Sequence, residues 1–142
     1  MLKTQKIHIV QEFNAPVSVL FAKLSEHENL NQIFAPAKVV RIKDGNTSRN
    51  GVGSVREIRL PLAPATEETN VAYKENELIE YTITSKGGPI KNHYGSMKFF
   101  DLGARSRLEY TITFKGRVPV LGLIIKLALQ DGIKRGLKKL KF

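Results

Sequence analysis

Cysteine is absent from the 142-residue sequence, which excludes disulfide bonds, thiolate metal sites and a cysteine nucleophile. Long hydrophobic runs are also missing. The longest, from Val118 to Ile125, is too short to span a bilayer and is more typical of a buried helix. The N-terminal residues alternate between polar and apolar and lack the apolar core of a signal peptide, so we expect a cytoplasmic protein.

Recognisable cofactor and metal motifs are missing too. Three scattered histidines without any cysteine do not form a metal-ligand set. No nucleophile elbow, phosphate-binding glycine loop or dinucleotide fingerprint is present. We therefore expect neither a metal nor a cofactor.

The overall composition is that of an ordinary globular chain. Hydrophobic residues make up 42% and charged residues 25%, and the length suits one domain covering residues 1–142. The net charge of +10 favours anionic partners without choosing among them. The basic cluster near the C-terminus reads most simply as a solvated helix face. Transient contact with an anionic membrane surface is the functional alternative, and nucleic acid is not expected because no aromatic residues interleave the cluster.

Hydrophobic periodicity predicts one strand, two short helices, six further strands and a long C-terminal helix. The predicted strands cover residues 3–13, 38–43, 53–60, 66–73, 78–85, 91–100 and 107–115, and the predicted helices cover residues 17–25, 28–33 and 119–141. Short polar turns between the later strands favour an antiparallel meander.

The long helix is predicted to be amphipathic. Its apolar face carries Leu121, Ile125, Ala128, Leu129, Gly132, Ile133, Leu137 and Leu140. A six- to seven-stranded antiparallel sheet must cover one face, and this helix is the only element long enough to do so. We therefore predict an α+β fold in which a strongly curved sheet wraps around the helix and leaves a tapered cavity.

This layout resembles the helix-grip fold of the START-like superfamily, also called SRPBCC. The matching landmarks are the Asn14-Ala15-Pro16-Val17 helix start, the Gly51-Val52-Gly53-Ser54-Val55-Arg56 segment, the Gly88-Pro89-Ile90-Lys91-Asn92-His93-Tyr94-Gly95 segment and the final helix. The superfamily includes polyketide cyclase/dehydrase-like proteins, lipid-transfer domains, the birch-pollen allergen family and plant abscisic acid receptors. Because these members differ widely in function, the resemblance implies the fold and not an activity.

The resemblance to the plant receptors implies that Glu67, Tyr81, Ile83 and His93 face the pocket. It also implies that the loops at residues 60–66 and 86–90 gate access to it. Strand alternation independently directs Tyr81, His93 and Gly95 inward. We expect the missing side chain of Gly95 to make room for the long helix or for a ligand. The full set of predicted ligand-binding residues is Arg56, Ile58, Leu60, Glu67, Tyr81, Ile83, His93, Gly95, Met97, Tyr110, Ile125, Ala128 and Gly132.

Three functions are compatible with these sequence features. The favoured one is binding or carriage of a small hydrophobic molecule, such as a lipid, quinone or polyketide, with an Arg56–Glu67 pair as a polar anchor or a neutralised ion pair. The second is a polyketide cyclase/dehydrase-like enzyme in which His93, Glu67 and Tyr81 transfer protons. The third is a protein-interaction module whose cavity is filled by its own side chains.

Overall fold

The computed structural model describes residues 2–61, 64–85 and 88–142. These residues form strands, two α-helices and one 3-10 helix, which covers His27–Gln32. In chain order the other elements are β1 (Thr4–Phe13), α1 (Val17–Ser25), β2 (Lys38–Lys43), β3 (Val55–Arg59), β4 (Thr66–Lys74), β5 (Leu78–Ile83), β6 (Ile90–Leu102), β7 (Arg105–Gly116) and α2 (Leu121–Lys138). The predicted α+β helix-grip architecture is confirmed.

All seven strands form one antiparallel sheet in the order β1-β7-β6-β5-β4-β3-β2. The first strand therefore pairs with the last, while α1 and the 3-10 helix carry the chain from the β1 edge to the β2 edge. Helix α2 packs chiefly against β1 and β7. Space therefore remains between α2 and the strands on the other side of the sheet.

Several boundaries differ from the predicted ones. Strands β6 and β7 extend into the loop predicted between residues 100 and 107, up to the pair formed by Leu102 and Arg105. Cross-strand hydrogen bonds outweigh the weak strand preference of these residues. The second short helix is a 3-10 helix. Helix α1 covers Val17–Ser25 as predicted, with Pro16 in the N-cap position.

One end of the interior is filled by large side chains, and we call it the packed end. Helix α1 contributes Leu20, Phe21 and Leu24, which share one helix face and are all buried. The Phe21 ring meets the Phe99 ring edge-on at a centroid distance of 4.9 Å and the Tyr73 ring at 5.5 Å. The complete set that defines the packed end is Leu20, Phe21, Leu24, Tyr73, Ile79, Met97, Phe99 and Leu108.

Gly95 accommodates a neighbouring aromatic ring. It lies opposite Tyr81 in the β5–β6 register, and a Cβ atom on Gly95 would lie 2.4 Å from that ring. The prediction that α2 or a ligand approaches Gly95 is therefore wrong, because the Tyr81 ring occupies the space. The Tyr81 hydroxyl is hydrogen-bonded to that of Tyr110, and burial raises the pKa of both groups.

Candidate functional site

A cavity of about 350 Å³ lies between α2 and the concave face of the sheet. Its walls come from β3 to β7, the middle of α2 and the segment from Ile33 to Ala37. Most of the lining side chains are aliphatic, and the polar ones include Thr66, Glu68 and His93. This size and this ratio of apolar to polar groups are typical of sites for small molecules.

Eight of the thirteen predicted ligand-binding residues line this cavity. They are Ile58, Leu60, Tyr81, Ile83, His93, Ile125, Ala128 and Gly132. Four others, Arg56, Gly95, Met97 and Tyr110, are buried but do not line the cavity. Their positions on the inner face are as expected, but they lie deeper in the core than the cavity wall.

The predicted inward orientation of Glu67 is wrong. Glu67 pairs with Glu57 on the outer face of the sheet, while its neighbour Glu68 pairs with Arg56 and lines the cavity. The cause is a β-bulge between Asn70 and Ala72. A bulge shifts the side-chain alternation by one residue, and the match to the plant receptors, made without gaps from Glu67 through Tyr81, does not take this shift into account.

The predicted polar anchor is therefore present, but Arg56 pairs with Glu68 instead of Glu67. The Nε atom of Arg56 donates to Glu68 Oε1 at 3.0 Å, and its Nη1 atom donates to Asn70 Oδ1 at 3.3 Å. The guanidinium also lies over the Tyr81 ring, 4.5 Å from its centroid. Burying a charged group is costly unless it is paired and hydrogen-bonded, and these contacts supply the compensation for Arg56.

His93 faces the cavity from β6 and is only 8% exposed. Its Nδ1 atom accepts a hydrogen bond from the backbone N–H of Ile83 at 3.2 Å. Its Nε2 atom lies 3.9 Å from Glu68 Oε2. Burial lowers the pKa of His93 below its ordinary value, although the Glu68 charge opposes this effect. The imidazole is therefore neutral at pH 7, and its proton lies on Nε2 because Nδ1 acts as the acceptor.

The predicted gate loops are described only in part. Leu60 and Pro64 on one side, and Pro89 and Ile90 on the other, line the cavity. Residues 62–63 and 86–87 of these two loops lie outside the described residues. Gating by these loops stays a prediction.

Sequence reasoning missed several lining residues. Glu68 was obscured by the bulge, and the segment from Ile33 to Ala37 reaches the cavity only through the tertiary fold. Among the helix glycines, Gly132 lines the cavity, and the nearest atom to a Cβ placed there, Ala35 O, is 3.8 Å away. A Cβ on Gly136 would lie 2.6 Å from Ile33 Cα. Gly136 thus permits close packing, whereas Gly132 contributes to the open space.

Within residues 2–61, 64–85 and 88–142, no group of histidine and acidic side chains could hold a metal ion. None of the helices formed by these residues is long and apolar enough to cross a membrane.

Comparisons with known proteins agree with this architecture. Residues 4–141 match the model of a family described as polyketide cyclase / dehydrase and lipid transport. No significant match was found among curated proteins.

Solved structures share the fold at low sequence identity. A START superfamily protein from Mycobacterium smegmatis superposes with a TM-score of 0.75 at 14% identity, covering 94% of each chain. A norcoclaurine synthase from Thalictrum flavum has a TM-score of 0.68 at 14% identity, covering 97% of this chain and 91% of that one. An aromatase/cyclase from a Streptomyces species has a TM-score of 0.66 at 17% identity, covering 96% of this chain and 86% of that one.

Proposed function

Because the chain belongs to the polyketide cyclase / dehydrase and lipid transport family, we propose that it binds and carries a small hydrophobic molecule. The observation that supports this function is the cavity of about 350 Å³ lined mainly by aliphatic side chains. Transfer of apolar ligand surface from water into such a site is favourable by roughly 25 cal/mol per Å². The interaction-module alternative requires a filled interior and is therefore not favoured.

The polar groups near the cavity favour binding over catalysis. The Tyr81 hydroxyl is engaged with Tyr110, and burial raises its pKa well above the ordinary value. It is therefore a poor proton donor at neutral pH. Arg56 is held by Glu68 and Asn70. The three residues expected to transfer protons do not converge, since Glu67 lies on the outer face.

Native mass spectrometry of gently purified protein tests carriage. We expect a small organic molecule to co-purify, or a fatty acid, quinone or polyketide to bind when added. The Gly132→Leu variant should lose this adduct because its side chain would enter the cavity. Gln130→Leu adds a leucine to the same helix at a position that does not line the cavity, and it should retain the adduct. A wild-type protein that stays empty with every added ligand would contradict the proposal.

We further propose that α2 contacts an anionic membrane surface during loading or release. The outward face of α2 changes character along its length. Its first half exposes Leu123, Ile124 and Leu127, and the N-cap residue Val120 is exposed beside them. Its second half exposes basic residues, including Lys134, Arg135 and Lys138. Exposed aliphatic groups beside a basic patch match an interface in which side chains enter the lipid and cations meet the headgroups.

Co-sedimentation with vesicles tests this surface. Wild-type protein should bind vesicles that contain phosphatidylglycerol, and binding should fall severalfold in Leu127→Ser, because a side chain that is 56% exposed would no longer enter the lipid. The control is Leu102→Ser, which changes a leucine that is 41% exposed in the β6–β7 hairpin. Equal binding by both variants and the wild-type protein would exclude this surface.

One observation favours a second candidate function, a cyclase/dehydrase-like activity. His93 and Glu68 both face the cavity, with His93 Nε2 and Glu68 Oε2 separated by 3.9 Å. A neutral imidazole beside a carboxylate is able to accept or donate a proton. Accelerated cyclisation of a linear polyketone, lost in His93→Asn, would establish this activity. A rate equal to the uncatalysed one would exclude it and leave carriage.

A further inference from the structure

Two polar atoms on the cavity wall face each other without bonding to each other. His93 Nε2 and Glu68 Oε2 are 3.9 Å apart, which is beyond the range of a hydrogen bond. Both residues line the otherwise largely aliphatic cavity. An unpaired donor or acceptor in such surroundings is costly, so a third polar group is expected to satisfy both atoms.

Neighbouring contacts determine which atom donates and which accepts. The N–H of Ile83 donates to His93 Nδ1, so the imidazole proton lies on Nε2 and makes this atom a donor. Arg56 Nε donates to Glu68 Oε1. Among the described residues, no hydrogen-bond donor contacts the second carboxylate oxygen, Oε2, which is therefore available as an acceptor. The cavity wall thus offers one donor and one acceptor side by side.

We propose that the carried molecule has a neutral hydroxyl group whose oxygen bridges His93 and Glu68. This inference depends on the proposed carriage function and names the chemical class of its ligand. A single oxygen can lie about 2.8 Å from both atoms, because their separation is less than twice a hydrogen-bond length. The hydroxyl accepts from His93 Nε2–H and donates to Glu68 Oε2, and the rest of the molecule contacts the aliphatic wall.

Other common polar groups fit this pair less well. A carbonyl or ether oxygen accepts from His93 but leaves Glu68 Oε2 without a donor. A carboxylate is repelled by the Glu68 charge. An ammonium group binds Glu68 but offers no acceptor to the Nε2–H of His93. An alcohol or phenol both donates and accepts through one atom.

The pair should therefore discriminate between ligands of the same shape. A ligand that lacks the hydroxyl must still displace any water that bridges the two atoms, and it cannot replace the hydrogen bonds of that water. A site that hydrogen-bonds a ligand hydroxyl can reject the analogue without it by large factors. Because the hydroxyl forms two hydrogen bonds, we expect the ligand that carries it to bind about tenfold to a hundredfold more tightly than the analogue without it.

Isothermal titration calorimetry at pH 7 with three probes of nearly equal size tests the inference. The probes are 2-naphthol, which donates and accepts, 2-methoxynaphthalene, which only accepts, and 2-methylnaphthalene, which does neither. The wild-type protein should bind 2-naphthol at least tenfold more tightly than either of the others. In the His93→Asn variant this preference should fall below about threefold, because the shorter amide keeps an acceptor for the Ile83 N–H but removes the Nε2–H donor.

The matched control is His8→Asn, since His8 lies on β1 and bonds to Thr111 away from the cavity. This control should keep the wild-type preference. If all three probes bind equally well, the cavity is a binding site but hydroxyl recognition is wrong. If none of them binds, the inference fails together with the carriage function. If His93→Asn does not fold, the probe series on the wild-type protein alone still decides between these outcomes.

Discussion

The packed end and the cavity differ although they share one sheet and one concave face. At the packed end, α1 inserts Leu20, Phe21 and Leu24 against β6 and β7, and the rings of Phe21 and Phe99 meet edge-on at a centroid distance of 4.9 Å. At the cavity, the middle of α2 presents Ala128 and Gly132. Small side chains on the covering helix therefore leave unfilled volume that large ones would occupy.

The boundary between the two regions is a polar layer. It contains Arg56, Glu68, Tyr81, His93 and Tyr110, which are joined by an ion pair, hydrogen bonds and ring contacts. The interior thus consists of the packed end, which stabilises the fold, and the cavity, which is able to hold a ligand. Substitutions in the two halves should have different consequences.

The largest expected difference is in the free energy of unfolding. Phe21→Ala should destabilise the protein by about 3–5 kcal/mol, because it opens a void among tightly packed rings. Ile125→Ala should cost clearly less, about 1–2 kcal/mol, because Ile125 already borders open space and its removal creates little new enclosed volume. Urea unfolding followed by circular dichroism measures both values. Equal losses would mean that the two regions are packed alike.

A second contrast concerns the two buried histidines. His27 is fully buried, its Nδ1 atom has no hydrogen-bond partner among the described residues, and its Nε2 atom lies 3.2 Å from Ser54 Oγ. Burial, with a contribution from Arg56, lowers the pKa of His27 to about 3. Between that value and the ordinary pKa of 6.5, the unfolded chain binds the proton more readily than the folded one.

Stability should therefore be full above about pH 6.5 and fall on acidification, by about 2 kcal/mol from His27 alone between pH 7 and pH 5. His27→Gln should flatten this dependence, because glutamine retains a polar atom for Ser54 and does not titrate. His93→Asn should flatten it less. Urea unfolding at both pH values checks the order, and identical pH slopes for wild-type protein and His27→Gln would contradict it.

The smallest predicted effect compares two glycines one helical turn apart. Gly132→Ala should stabilise α2 by about 1 kcal/mol, because alanine favours a helix and the nearest described atom to the added methyl group, Ala35 O, is 3.8 Å away. Gly136→Ala should destabilise the protein by about 1 kcal/mol or more, because its Cβ would lie 2.6 Å from Ile33 Cα. Thermal melting should show shifts of opposite sign. Shifts of the same sign would mean that α2 does not approach Ile33 so closely.

The sequence predicted the parts of the site that follow strict periodicity. The alternation in β5, and in β6 from His93 through Phe99, is regular, so it correctly predicts that Tyr81, Ile83 and His93 lie on the inner face, although the β6–β7 register shifts between Lys91 and Tyr94. The bulge after Asn70 interrupts the alternation in β4, and the gap-free match to the plant receptors placed Glu67 at the cavity instead of Glu68. A search for a phase change between Asn70 and Tyr73 could have identified the correct residue.

Other features depend on contacts between distant parts of the chain. The approach of the Tyr81 ring to Gly95 follows from the β5–β6 register, which local sequence does not specify. The segment from Ile33 to Ala37 reaches the cavity because it follows the 3-10 helix across the sheet. The exposed aliphatic residues Leu123, Ile124 and Leu127 were assigned to neither face of the predicted amphipathic helix, because the sequence alone does not show which apolar side chains the sheet covers.

A crystal structure determined under xenon pressure tests the central claim most directly, because xenon enters apolar cavities that side chains leave open. We expect density for xenon, or for a co-purified molecule, between Ile58, Ile125 and Ala128, and no such density near Phe21 and Phe99. An interior filled by the protein's own side chains at both ends, without either kind of density, would contradict the account.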